Sequence, residues 1–198
     1  IAPSFRTEFA DIPENKLIAA LRRLGFAGVS ETALGAQEVS ASVAELLKRD
    51  PTPRVYISSA CPVIVDLIGK YIPSMAASIT DFCSPAQAHA RLLKKHYGDH
   101  IRVVFIGPCI GKKVEADEHP ELLTLALSYN NLREWFQSES IDPLAMQPTE
   151  RDVFCPSRAA EGALYPVDGG MIAGIKANCS IHDADFMAFS GVNNVVSA

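Results

Sequence analysis

Apolar residues fall alternately at helical spacing and in short unbroken runs. Leu17, Ile18, Leu21 and Leu24 share one helical face, and Gly25 follows as a stop. Val39, Val43, Leu46 and Leu47 predict a second helix, closed by Lys48, Arg49 and Pro51. Residues 54–59 (RVYISS) read as a buried strand that leads into a helix over 63–71. Ser84 and Pro85 read as the N-cap and first residue of a helix to Tyr97, with Ala88, Leu92, Leu93 and His96 on one face and Gly98 at its end. The run 101–107 (IRVVFIG) is the strongest strand, apolar on both faces as a parallel sheet requires. A further strand is expected over 122–127, a helix over 131–138 burying Leu132, Trp135 and Phe136, a helix over 169–176, a strand-like stretch over 185–189 and a helix from Val192. Strands separated by helices imply β-α-β units, so the expected class is α/β: two lobes of parallel sheet flanked by helices, with a cofactor cleft between them.

The proline-bearing stretch 142–156 is the least regular, and the connection between lobes is expected within 128–156 of a single domain spanning 1–198. Both ends read as cut. The chain opens on what reads as half a strand and closes on NNVVSA, under two helical turns without a stop signal.

Composition narrows the classes. Of 198 residues, 48% are hydrophobic and 21% charged, enough for a sizeable core; no apolar run approaches the roughly 18 residues of a membrane span, and no leader pattern opens the chain. A net charge of −5 argues against a nucleic-acid surface. Five cysteines without a C-x-x-C pair exclude a disulfide scaffold or zinc ribbon, and the expected location is cytoplasmic.

Ligands of open parallel sheets gather beyond the carboxyl ends of strands. Two cysteines fall there: Cys61, in Ala60-Cys61-Pro62 after RVYISS, and Cys109, in Pro108-Cys109-Ile110-Gly111-Lys112-Lys113 after IRVVFIG. Helix-start N–H groups suit a thiolate, and Lys112 and Lys113 offer positive charge for an anionic cluster. The same residues read equally as small buried hydrophobes. Cys83, Cys155, Cys179, His89 and His96 read as packing residues, and His100, His119 and His182 as turn or surface positions. Asp168-Gly169-Gly170 lacks any phosphate-loop pattern.

The ordered motifs resemble the catalytic domain of the iron-only hydrogenases. IAPSFRTEF is similar to that family's first strand and turn, LIAALRRLGFAGVSET to its first helix and second strand, and SSACP to its T-S-C-C-P motif. DFCSPAQAHARLLKKHYG resembles its S-P-Q-Q-type helix, GPCIGKKVEAD its M-P-C-x-x-K-x-x-E motif, and GALYPVDGGMIAGI its F-G-x-T-G-G-V-M-E-A segment. FMAFSGVNNVVSA is similar to the stretch before a third, cysteine-bearing motif, expected beyond Ala198.

The resemblance implies that Cys61 and Cys109 are metal ligands, supplying two of four thiolates to a 4Fe-4S cluster, with a di-iron subcluster alongside in the full-length protein. It implies that Lys112 faces a cyanide of the di-iron site and that Glu115 lies on a proton path, as the catalytic residues of the set. The fragment by itself is expected to be apo. The departures are Ala60 in place of a proton-relaying cysteine, Gly107 in place of a methionine, Tyr165, Pro166 and Asp168 within the glycine-rich segment, and Thr80 in place of a relay serine, with Glu45 as a relay carboxylate. These point to a sensor-like member responding to redox state or dihydrogen. The alternatives are an active ferredoxin-linked hydrogenase and a cluster-carrying iron–sulfur assembly protein. Expected partners are ferredoxin-type domains or electron carriers and a downstream signalling domain, with neither nucleic acid nor membrane.

Overall fold

A computed structural model describes residues 1–50, 54–178, 185–189 and 194. In chain order the helices are α1 (Phe5–Glu8), α2 (Glu14–Arg23), α3 (Ala33–Arg49), α4 (Pro62–Tyr71), α5 (Pro85–Tyr97), α6 (Gly111–Glu118), α7 (Tyr129–Ser138) and α8 (Gly170–Asn178); the strands are β1 (Val104–Gly107) and β2 (Leu125–Ser128). The fold is α/β, as the alternation predicts. The chain divides into two compact units, Ile1–Thr32 with Tyr97–Arg158, and Ala33–His96 with Ala159–Ala198.

In the first unit β1 and β2 pair in parallel, Val104 opposite Leu125 and Gly107 opposite Ser128. The amide of Ala2 donates to Ile106 O at 2.7 Å, tying the start of the chain to β1. Leu17, Ile18 and Leu21 of α2 and Leu132 and Phe136 of α7 pack with Phe5, Phe9, Ile106 and Phe154. Each such side chain contributes about 1.5–3 kcal/mol by leaving water. The expected strand 122–127 is displaced because Leu122 and Leu123 direct their amides to His119 O, each at 3.0 Å, and pairing begins only at Leu125. Ser128 then ends β2 and caps α7: its hydroxyl accepts from Asn131 N, and the Asn131 side chain accepts from Ser128 N, both at 3.2 Å. That capping box starts the helix at Tyr129, ahead of the expected Asn131.

The second unit centres on α3 and α8, where Val39, Val43, Ala44 and Ile175 form a core with Phe82 and Met171 against it. Ser84 caps α5 through Gln87 N at 3.4 Å, and Pro85 is its first residue, as expected. The buried face is rotated from the expected one, with Ala86, His89, Ala90 and Leu93 inward and His96 exposed. Gly35 explains the rotation, because α5 lies so close to α3 that a Cβ there would sit 2.1 Å from Pro85 O and 2.5 Å from His89 N.

Four further expectations change. RVYISS forms a single parallel bridge, Ile57 with Ile79, and IRVVFIG is strand only from Val104. Residues 185–189 are in no strand. Segment 128–156 belongs wholly to the first unit, held by Cys155 N on Val29 O (2.9 Å) and Arg22 on Asp152 (3.2 Å), and the crossings fall at 32/33, 96/97 and 158/159. Val192, where a last helix was expected to begin, lies outside the described residues; Asn194 is helical.

Two glycines with opposite surroundings test this packing by thermal unfolding. Gly35→Ala meets backbone atoms and is expected to destabilise by about 1–3 kcal/mol. Gly69→Ala in α4 meets nothing within 4 Å and is expected to stabilise by about 0.5–1 kcal/mol through helix propensity.

Candidate functional site

Cys61 stands in extended conformation as the N-cap of α4, with Pro62 as the first helical residue. Its carbonyl accepts from Ile64 N and Val65 N at 3.1 and 3.2 Å, while its side chain makes no capping bond and its thiol is exposed. The turn before it is built from hydroxyls. Ser58 Oγ accepts from Ala60 N at 3.2 Å and donates to Met171 Sδ at 3.2 Å. Ser59 N donates to Thr80 Oγ1 at 3.1 Å, the Ser59 and Thr80 hydroxyls are 3.0 Å apart, and Ser59 Oγ donates to Phe82 O at 2.7 Å.

Cys109 follows β1 and precedes α6. It is exposed, and its carbonyl accepts from Lys112 N at 3.2 Å. Lys112 Nζ donates to Glu115 Oε2 at 2.5 Å, one helical turn on, and both residues are buried, at 8% and 3% exposure. Lys113 is exposed and donates to Asn131 Oδ1 at 2.7 Å, so its ammonium is engaged with the α7 cap. A Cβ on Gly107 would lie 2.8 Å from that of Ala2 and 2.7 Å from Phe105 Cζ, leaving no room for a side chain there.

The family model for the iron only hydrogenase large subunit, C-terminal domain, matches residues 1–198. The chain belongs to that family. The periplasmic [Fe] hydrogenase large subunit of Nitratidesulfovibrio vulgaris (strain Hildenborough) is 24% identical over 191 residues, covering 87% of this chain and 45% of the relative. A variant of [FeFe]-hydrogenase HydA1 from Chlamydomonas reinhardtii is similar in structure with a TM-score of 0.72 at 24% identity, over 89% of this chain and 51% of that one. A further [FeFe]-hydrogenase structure, described through oxygen modification and degradation of its H cluster 2Fe subcluster, gives a TM-score of 0.66 at 25% identity, over 89% and 52%. The chain thus spans about half the length of the relatives it matches.

Within this hydrogenase-family chain, Lys112 and Glu115 are brought together as a pair. Cys61 lies in the second unit, and Cys109 with Lys112 in the first. Thr80 is buried and bonded to Ser59, whereas Glu45 is exposed on α3 and paired with Arg49 at 2.9 Å. Cys83 and Cys155 are half-buried, the latter with its thiol on Val29 O at 3.3 Å; Cys179 and His182 lie outside the described residues. Burial holds the His89 imidazole at about 3, far below its usual range, so it is a neutral core histidine. Ser58, Ser59 and Met171, which hold the turn before Cys61, were not singled out from the sequence; their only signals were the S-S of SSACP and the methionine of GALYPVDGGMIAGI. Among the described residues no three His, Cys, Asp or Glu side chains are grouped to hold a metal ion. Two exposed thiols outside any disulfide, each beside a helix start, fit in kind two of the four thiolates of a cubane.

Removing one member of the buried pair strands the other. Lys112→Met is expected to cost about 3–5 kcal/mol, and the double variant Lys112→Met with Glu115→Gln to recover most of it, as read from denaturant unfolding midpoints.

Proposed function

We propose that the chain is the part of an iron-only hydrogenase-type domain that contributes Cys61 and Cys109 to a 4Fe-4S cluster, in a member tuned to sense redox state or dihydrogen. The observation that carries the reading is the pair of exposed cysteines at loop–helix junctions in the two family motifs, one followed by a buried cation. When bound, such a cluster stores and passes single electrons. The reading calls for two further thiolate ligands and, in the full-length protein, a di-iron subcluster beside the cubane. The H cluster named for a similar structure supports it.

Lys112 supplies an argument from cost. In the first turn of α6 its positive charge opposes the helix dipole, and burial adds a desolvation penalty that Glu115 offsets. A cation held there against both effects is suited to fixing an anionic ligand at the mouth of the Cys109 loop. Glu115 accepts from that ammonium, and the reading keeps it on the proton path that the family resemblance implies.

Ala60 carries the sensor part of the reading. A methyl group neither gives nor takes a proton, so the first station of the family's route is missing. Signal output then falls to ferredoxin-type domains or electron carriers and a downstream signalling domain. Free exposed thiols suit a reducing compartment, and we place the protein in the cytoplasm, in contrast to the relative named periplasmic. None of the described helices is long and apolar enough to cross a membrane.

Hydrogen evolution from reduced methyl viologen separates the readings. The full-length, maturated protein is expected to turn over slowly, and Ala60→Cys to raise the rate by on the order of 100-fold. Family-typical rates with Ala60 in place would sink the sensor reading in favour of an active hydrogenase. An unchanged rate on Ala60→Cys, in protein shown spectroscopically to hold the di-iron site, would contradict the relay argument. A protein that binds the cubane and never a di-iron site would favour the assembly protein.

A further inference from the structure

The backbone ladder between the segments 57–60 and 78–82 lasts for two bonds: Ile57 N donates to Ser78 O and Thr80 N to Ile57 O, both at 2.8 Å. Hydroxyls then continue it. The direction of each bond follows from proton counting, because every hydroxyl carries a single proton. Phe82 O only accepts, so the Ser59 proton is committed to it at 2.7 Å. The proton between the Ser59 and Thr80 hydroxyls therefore belongs to Thr80, which also accepts from Ser59 N. The circuit runs from Ser59 N–H to Thr80 Oγ1, from Thr80 O–H to Ser59 Oγ, and from Ser59 O–H to the Phe82 carbonyl. Ser58 is committed in the same manner, receiving Ala60 N–H and donating to the Met171 thioether.

Both hydroxyl chains end on acceptors, a carbonyl and a thioether, so the hydroxyls are committed to holding the turn. We propose that Thr80 and Ser59 are positioning residues: they brace the turn of residues 58–61 and thereby set how the Cys61 thiol is presented. The position read from the resemblance as a relay hydroxyl is thus assigned to the loop that bears the cysteine. Burial of Thr80 supports the assignment, since its hydroxyl meets its donor and acceptor within one residue, Ser59. The brace is a property of the loop itself; only its consequence for a bound cluster rests on the reading of Cys61 as a ligand.

The test is the alkylation rate of Cys61 by iodoacetamide across a pH series in the reduced, metal-free full chain, read by peptide mass spectrometry with Cys109 as internal control. Thr80→Val and Ser59→Ala are each expected to change the Cys61 rate at least threefold and leave that of Cys109 unchanged, and Thr80→Ser to restore the native profile. If Thr80→Val does not fold, Ser59→Ala decides by the same criterion. An unaltered Cys61 profile in the folded variants overturns the proposal, as does an equal change at both cysteines. Loss of hydrogen turnover in Thr80→Val with the Cys61 profile unmoved would place the role of Thr80 elsewhere and overturn it too. Failure of the native chain to take up iron overturns the ligand reading; the brace is judged on alkylation alone.

Discussion

Where a chain leaves a parallel strand for a helix, backbone groups lose the ladder on one side before they gain the helix on the other, and something must hold the turn. Cys109 sits at that hand-over after β1, and Cys61 at the like exit from the isolated parallel bridge at Ile57. At Cys61 the holding is done by Ser58, Ser59 and Thr80, whose hydroxyls substitute for ladder bonds over residues 58–60. At Cys109 it is done by the amide of Lys112 on the cysteine carbonyl and by β1, pinned between Ala2 and β2. With the backbone committed, each sulfur is left exposed and unbonded to the turn that carries it.

Local order was legible in the sequence and distant partners were not. The helix Pro85–Tyr97 follows residue for residue from its serine, its proline and the glycine after it. The strands were overestimated, because periodicity sees apolar runs and not who pairs with them. RVYISS keeps one bridge since Ser59 finds Thr80, 21 positions on, and bonds to it by its side chain. The candidate site was legible only as motifs: strand ends marked Cys61 and Cys109, and the family resemblance of the segment around Cys109 marked Lys112 and Glu115. Ser59 and Met171 were not, because their roles exist only through residues 21 and 113 positions away.

The same limit applies to charge. Glu31 is fully buried, paired with Arg6 and 3.9 Å from Arg158, which also pairs with Glu14. Arg6 and Arg158 lie over the rings of Phe5 and Phe154, themselves 5.3 Å apart. This cluster ties down the residues beside both points where the chain leaves the first unit, and nothing local to Glu31 announces it. Lys112 and Glu115, by contrast, pair within one turn of α6, at a spacing where side chains meet, although each was assigned through the family resemblance and not as a pair.

The measurement that bears most directly on the account is iron and acid-labile sulfide bound per chain, with the reduced-state EPR signal, in full-length protein reconstituted anaerobically. The account predicts that Cys61→Ser and Cys109→Ser each lose most of the iron and the native signal, whereas Cys83→Ser and Cys155→Ser keep both. Full iron content and an unaltered signal in either Cys61→Ser or Cys109→Ser would contradict it.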